Sequence, residues 1–208
     1  MARYVAIHPQ DPQPRLLARA ADEVRAGGLL VIPTDCCYAL ACRLGDKDAV
    51  ERIRHIRAVD ERHHLTLMCR DLSEIAQFAR VDNAQYRLLK ATTPGSYTFI
   101  LEGTRELPRR VLHPKRKTIG LRVPAHNAAL GLLAELGEPL LTSTLMLPGD
   151  EEALTEGWEI QDRLADFVDL ILDGGPCGTV PTTVIDLTTL PPVLVRAGRG
   201  VLDPFGLE

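Results

Sequence analysis

Between Gly27 and Gly45 the chain reads GGLLVIPTDCCYALACRLG, and this stretch organises what the rest can become. A Gly-Gly break precedes four consecutive apolar residues, Leu29 to Ile32, and Pro33 ends the run. A short apolar run bounded by turn residues suits a strand covered on both faces. Directly after it stand a hydroxyl (Thr34), a carboxylate (Asp35), two thiols (Cys36, Cys37) and a phenol (Tyr38). Polar groups delivered off a strand end are a common way for α/β proteins to build sites. A tight turn capped by Thr34 and Asp35 accounts for the same residues.

The remaining chain supplies layers to cover such a strand. Leu16, Leu17, Ala20 and Val24 recur at helical spacing between Leu16 and Ala26, where Gly27-Gly28 stops the helix. Asp46 caps a second helix over 47–58, Asp71 with Glu74 opens one reaching Ala79, and Asp82 opens another. Asn127 to Leu136 ends at Gly137, and a last helix runs near Trp158 to Phe167. Strand segments read as Tyr4–Ile7, Leu65–Cys69, Tyr97–Leu101, Thr118–Val123, Pro139–Leu145, Val168–Leu172, Thr182–Leu187 and Val193–Arg196. Helices separate some of these strands and only turns separate others. That predicts a mixed sheet with helices rather than a regular doubly wound parallel sheet. With 208 residues and no repeat or linker, one domain is expected over 1–208, its core over about 14–200.

No apolar run approaches the roughly 18 residues of a membrane span, and the first residues hold none long enough for a signal peptide. A cytoplasmic protein is expected. Its five cysteines are odd in number and form no CxxC pair, so they read as reduced, small, buried residues rather than a zinc site. A net charge of −4 argues against a globally basic nucleic-acid binder but leaves room for a local one. The most basic region runs from Arg105 to Arg122, with Arg109, Arg110, Lys115, Arg116 and Lys117 against one acid, Glu106.

The chain has no GxxxxGK[ST], GxGxxG, HExxH or GxSxG motif. A nucleotide site would have to be assembled from arginines, hydroxyls and backbone amides. Four pieces offer these: Thr34 and Tyr38; Arg57 with His55 at a helix end; Thr142-Ser143-Thr144; and Thr182-Thr183 with Arg196. Arginine forks bind phosphate and carboxylate bidentately. Taken singly, each residue also fits an ordinary strand hydroxyl or a solvated surface charge. His63 and His64, adjacent and pointing apart in extended chain, read as surface histidines.

In order, the pieces resemble the YrdC/YciO family over nearly the whole chain. Its PT[ED]xxYGL motif stands as Pro33–Leu40, its KxRP element as His55–Ala58, and its PGPxTFIL element as Pro94–Leu101. Its xRxP strand stands as Gly120–Pro124, its PSTxxDL as Pro181–Leu187, and its late RxG as Arg196–Gly198. The phrases LTLMCRDLSE, KRKTIGLRVP and LMLPG are similar to the YciO branch. The resemblance implies a twisted mixed α/β fold with a concave, positively charged cavity. It also implies L-threonylcarbamoyladenylate synthesis from L-threonine, bicarbonate and ATP with Mg²⁺, the first step of tRNA t6A modification. Arg57 would then be the catalytic cation, and Thr34, Tyr38, His55, Arg122, Ser143, Thr144, Thr183 and Arg196 would bind substrate. Double-stranded RNA or tRNA is the implied partner of Arg109, Arg110, Lys115, Arg116 and Lys117, and a non-catalytic RNA-binding module is the other reading. The family lysine is matched by His55 and the asparagine of its SxN by Met146, a thioether being at most a weak acceptor. The activity expected by resemblance is therefore weak or altered.

Overall fold

The computed structural model describes residues 1–61 and 63–207; Arg62, in the expected basic loop, and Glu208 lie outside them. From the N-terminus, β1 (Arg3–Ala6) leads to α1 (Pro14–Arg25), then β2 (Leu30–Ile32), β3 (Ala39–Arg43) and α2 (Lys47–Arg57). After β4 (Thr66–Met68) come α3 (Leu72–Phe78), α4 (Asn83–Thr92), β5 (Tyr97–Glu102) and β6 (Thr118–Arg122). The last third holds α5 (Asn127–Leu136), β7 (Leu140–Thr144), α6 (Gly157–Leu164), β8 (Leu170–Asp173), β9 (Thr183–Asp186) and β10 (Val193–Arg196).

The described strands form a ten-stranded sheet in the order β1-β8-β2-β3-β7-β4-β6-β5-β9-β10. It mixes parallel pairs, such as β2 with β8 and β4 with β6, with antiparallel ones, such as β3 with β7. The expected mixed α/β fold is therefore present. The helix starts are as their residues dictate. Asp46 accepts from the Ala49 N–H, Asp71 from the Glu74 N–H, and Asp82 makes a reciprocal capping box with Gln85.

Reading from sequence missed β3. Ala39–Arg43 carries no β-branched residue, yet it pairs antiparallel with β2 in the register Leu30–Ala41 and Ile32–Ala39. Pairing partners on both sides, β2 and β7, override its weak propensity. The organising strand is thus one arm of a hairpin, and Pro33–Tyr38 is its reversal.

Side chains alternate across the sheet. On one face Leu30, Ile32, Ala39, Ala41, Met68, Leu140, Leu170 and Leu172 pack against α1 and α5 through Ala20, Ala21, Val24, Ala128, Leu132 and Leu133. The other face carries Leu29, Val31, Leu40, Leu67, Leu141 and Ile171, which cluster with Ile53 of α2, Ile75 of α3 and Ile160 of α6.

Candidate functional site

Helices α1 and α5 cover only part of their face. Past β7 the residues on that face become Thr142 and Thr144 on β7, Thr66 on β4, Gly120 and Arg122 on β6, and Thr98 on β5. All of them line a cavity of about 250 Å³, near the small end of the roughly 300–1,000 Å³ usual for small-molecule sites. Gly120 keeps its floor open: a Cβ there would stand 3.0 Å from Thr98 Cγ2 and 3.6 Å from Thr66 Oγ1.

The turn that reverses β2 into β3 forms one wall. Thr34 Oγ1 donates to the Cys37 carbonyl at 2.6 Å and accepts the N–H groups of Cys36 and Cys37. This hydroxyl holds the turn, as the capped-turn reading has it, while its residue also lines the cavity. Tyr38 lines the cavity too, and its hydroxyl shares its one proton between Asp173 Oδ1 at 2.8 Å and the Gly175 carbonyl at 2.7 Å. Cys36 and Cys37 also face the cavity, but burial raises both thiols, that of Cys37 to about 11, so neither is a thiolate nucleophile.

Asp35 is the anchor that sequence reading left in the turn. Its Oδ1 takes Arg122 Nη2 at 2.6 Å and the Ala125 N–H at 3.1 Å, and its Oδ2 takes the Ser96 hydroxyl at 2.8 Å. Burial pushes this carboxyl up, but the Arg122 charge and these donors outweigh it and hold the pKa below the ordinary aspartate value. The pair ties the β2–β3 turn to β6 and leaves Arg122 Nε buried without a partner.

Two further arginines have no carboxylate partner among the described residues. Arg57, last residue of α2, donates from Nη1 to Ser143 Oγ at 2.6 Å, and the same nitrogen stands 2.9 Å from His63 Nε2. Arg196 reaches the Thr182 carbonyl at 2.8 Å, and Thr182 shares its hydroxyl with Thr98 at 2.9 Å. Burial first, then the Arg57 charge beside His63 and the His113 ring beside His64, lower both histidines, so both rings are neutral near pH 7. Burial and the Arg196 charge also lower Arg57. Two mutually repelling guanidinium groups, facing a cavity lined by no carboxylate among the described residues, form a ready anion site. Among the described residues, no cluster of three or more His, Cys, Asp or Glu side chains is placed to hold a metal ion.

Of the residues singled out in sequence, Thr34, Tyr38, Arg57, Arg122, Ser143, Thr144 and Arg196 line this one cavity. His55 does not: two positions before Arg57 on α2, it faces solvent. Thr183 does not either. It is fully buried, donates to the Gly200 carbonyl at 2.6 Å, and so fixes the chain after β10, while its neighbour Thr182 faces the cavity. His63, expected at the surface, is half-buried against Arg57; the left-handed residue Ala58 (φ 48°) ends α2 and turns the chain back towards it. Arg109, Arg110, Lys115, Arg116 and Lys117 are all exposed on the segment between β5 and β6, outside this cavity.

A family model described as Sua5/YciO/YrdC, telomere recombination, matches residues 22–198. The chain belongs to this family. It is 54% identical over 205 residues to the uncharacterized protein YciO of Escherichia coli (strain K12), covering 99% of this chain and 100% of that one. The crystal structure of E. coli YciO superposes with a TM-score of 0.95. A threonylcarbamoyl-AMP synthase of Chromobacterium violaceum is 32% identical over 183 residues, covering 86% of this chain and 92% of its own length. Sua5 of P. abyssi, solved with L-threonine, gives a TM-score of 0.85 at 27% identity over 94% of this chain and 57% of its own.

Proposed function

We propose that the cavity binds L-threonine and ATP with Mg²⁺ and, with bicarbonate, forms threonylcarbamoyl-AMP, water and pyrophosphate in the cytoplasm, for tRNA modification. The observation that carries this reading is a cavity walled by Arg57, Arg122 and Arg196 with no carboxylate in its lining among the described residues. Arg122 Nε, buried and unpartnered, is a donor waiting for an acceptor. Threonylcarbamoyl-AMP synthases among the relatives, and the L-threonine complex of Sua5, supply the substrates by family likeness.

In this reading the threonine amine takes up bicarbonate to give a carbamate, with loss of water. A carbamate oxygen then attacks the α-phosphorus of ATP, and pyrophosphate leaves. Nothing covalent forms on the protein, which agrees with thiols held protonated. Arg57 and Arg196 offset charge on the reacting phosphate, Arg122 orders the turn through Asp35, and Ser143 and Thr144 supply hydroxyls. Ser143 already accepts from Arg57, whereas the Thr144 hydroxyl is unengaged among the described residues. Thr34 and Tyr38 shape the threonine wall through backbone turn and ring. Met146 contributes its carbonyl to Arg57 Nε at 3.4 Å and brings no side-chain donor, so turnover is expected to be slow.

Incubation with ATP, labelled bicarbonate and L-threonine tests the reading. A threonylcarbamoyl-AMP product that falls by about tenfold or more in Arg57→Ala supports it; no adenylate after prolonged incubation refutes it. A second reading, binding of double-stranded RNA or tRNA, rests on one observation. Of the six exposed cations between β5 and β6 (Arg105, Arg109, Arg110, Lys115, Arg116 and Lys117), only Arg116 has an acidic partner among the described residues, Asp186 at 3.8 Å. It requires RNA affinity that falls steeply with salt and drops on charge reversal of Lys115 and Arg116.

A further inference from the structure

His63, His64 and Leu65 wall the arginine cavity on one side and, on the other, a second cavity of about 670 Å³. This groove runs between α2 and the segment carrying Arg109 and Lys117. We propose that it is a separate binding site for a small organic phosphate, a ligand with an apolar body and at least one phosphate group.

The floor sets the first requirement. Val50 of α2, Leu65, Leu112 and Leu141 are buried apolar residues that give the groove a surface for a flat or apolar body. The rim sets the second. Lys47, Arg109, Arg110 and Lys117 border the groove, and none makes an ion pair among the described residues; the nearby pairs go to Arg54 with Glu51 and Arg116 with Asp186. Asp48, Glu51 and Glu61 also border it, so cations outnumber acids, and Arg54 already engages Glu51. Arg54 adds a buried Nε with no acceptor, a group that a phosphate or hydroxyl oxygen would satisfy. Lys117 holds a left-handed backbone, φ 57°, that non-glycine residues rarely adopt, and such outliers collect at ligand sites. A volume inside the roughly 300–1,000 Å³ of small-molecule sites favours one compact ligand over a duplex, which needs an open face of cations.

The proposal is independent of adenylate formation, and AMP is a suitable probe. Equilibrium dialysis would compare AMP, adenosine and inorganic phosphate on three proteins: the unaltered chain, Gly120→Val, which fills the arginine cavity, and Lys47→Glu/Arg109→Glu. Both reversed residues are exposed, so the fold is kept, which circular dichroism would check. Expected is AMP binding that survives Gly120→Val and weakens by about tenfold or more in the charge-reversed protein. Adenosine and phosphate should each bind at least about tenfold more weakly than AMP. The proposal falls if AMP binding at millimolar concentration vanishes in Gly120→Val, or is unchanged by the charge reversal. It also falls if inorganic phosphate matches AMP, since the apolar floor would then contribute nothing. Loss of threonylcarbamoyl-AMP synthesis alone would leave it standing.

Discussion

One face of one sheet is used in two ways. Over β1, β8, β2 and β3 it is aliphatic, Val5, Leu170, Leu172, Leu30, Ile32, Ala39 and Ala41, sealed by α1 and α5. Over β4, β6 and β5 the same face turns to Thr66, Gly120, Arg122 and Thr98, with Ile100 beside them, and it opens into the cavity. Backbone pairing is continuous across the boundary, so the change is in side chains alone. β7 carries it within five residues: Leu140 packs under the helices, while Thr142 and Thr144 face the cavity. A sheet can therefore carry a rigid, well-packed half whose only task is to hold the polar half still. The two halves should differ in what a substitution costs.

The largest expected stability loss is at the one charged pair buried in the open half. Arg122→Leu strands Asp35, whose side chain is 9% exposed and bonded at 2.6 Å, at a cost of about 3–5 kcal/mol. Thermal unfolding should show a Tm lower by very roughly 10 °C, at about 2–4 °C per kcal/mol in a chain this long. Adding Asp35→Asn should recover part of it; no recovery would mean that Arg122 matters for packing rather than charge. In the sealed half, Leu132→Ala, at a fully buried position of α5, should cost about 2–5 kcal/mol and leave ligand affinity unchanged. Denaturant titration and nucleotide binding on the same protein check both claims, and a matching loss of affinity would erase the contrast between halves.

Arg57→Ala inverts the pattern. It removes a half-buried cation with a like-charged neighbour and no carboxylate, so stability should move by about 0.5 kcal/mol or less. Anion affinity should fall by a decade or more. Met146→Asn sharpens the same point in the other direction: a new amide in the cavity wall should raise nucleotide affinity by about twofold to tenfold, one hydrogen bond's worth. His55→Lys, outside the cavity, should leave affinity where it was.

Local chemistry explains why some of this was legible before the fold was known. Capping residues Asp46, Asp71 and Asp82 act within one turn, so their helices could be placed from sequence. The buried run Leu29–Ile32 and the hydroxyls near strand ends were legible for the same reason. What was not legible depends on partners far along the chain. β3 is a strand because β2 and β7 flank it, not because of its own residues. Asp35 read equally as a turn cap or a site residue off the strand end, and its contact 87 positions away with Arg122 makes it the anchor of the site. Strand parity decided between neighbours: Thr182 faces the cavity and Thr183 the interior, a choice that adjacent, chemically identical residues cannot reveal. His55 and His63 were exchanged in the same way, since the turn at Ala58 brings the later histidine onto Arg57.

That exchange yields the smallest and most specific expectation. His63 and His64 have lowered pKa values in the fold, through burial first and then the Arg57 charge beside His63 and the His113 ring beside His64, while in the unfolded chain they return to about 6.5. Below that value the unfolded state binds protons that the fold refuses, so stability should fall as pH drops from about 6.5 towards the depressed values, and stay level above. Asp35 and Asp173, also lowered, act only below the ordinary aspartate range, a separate and more acidic window. His126, lowered mainly by burial beside the sealed half, contributes in the same window as His63. Comparing His63→Gln with the unaltered protein therefore isolates the open half: the difference in unfolding free energy should grow in favour of the variant as pH falls from 7 to 5. Parallel pH profiles would mean that His63 titrates normally against Arg57, and that the cavity is more open to water than its packing implies.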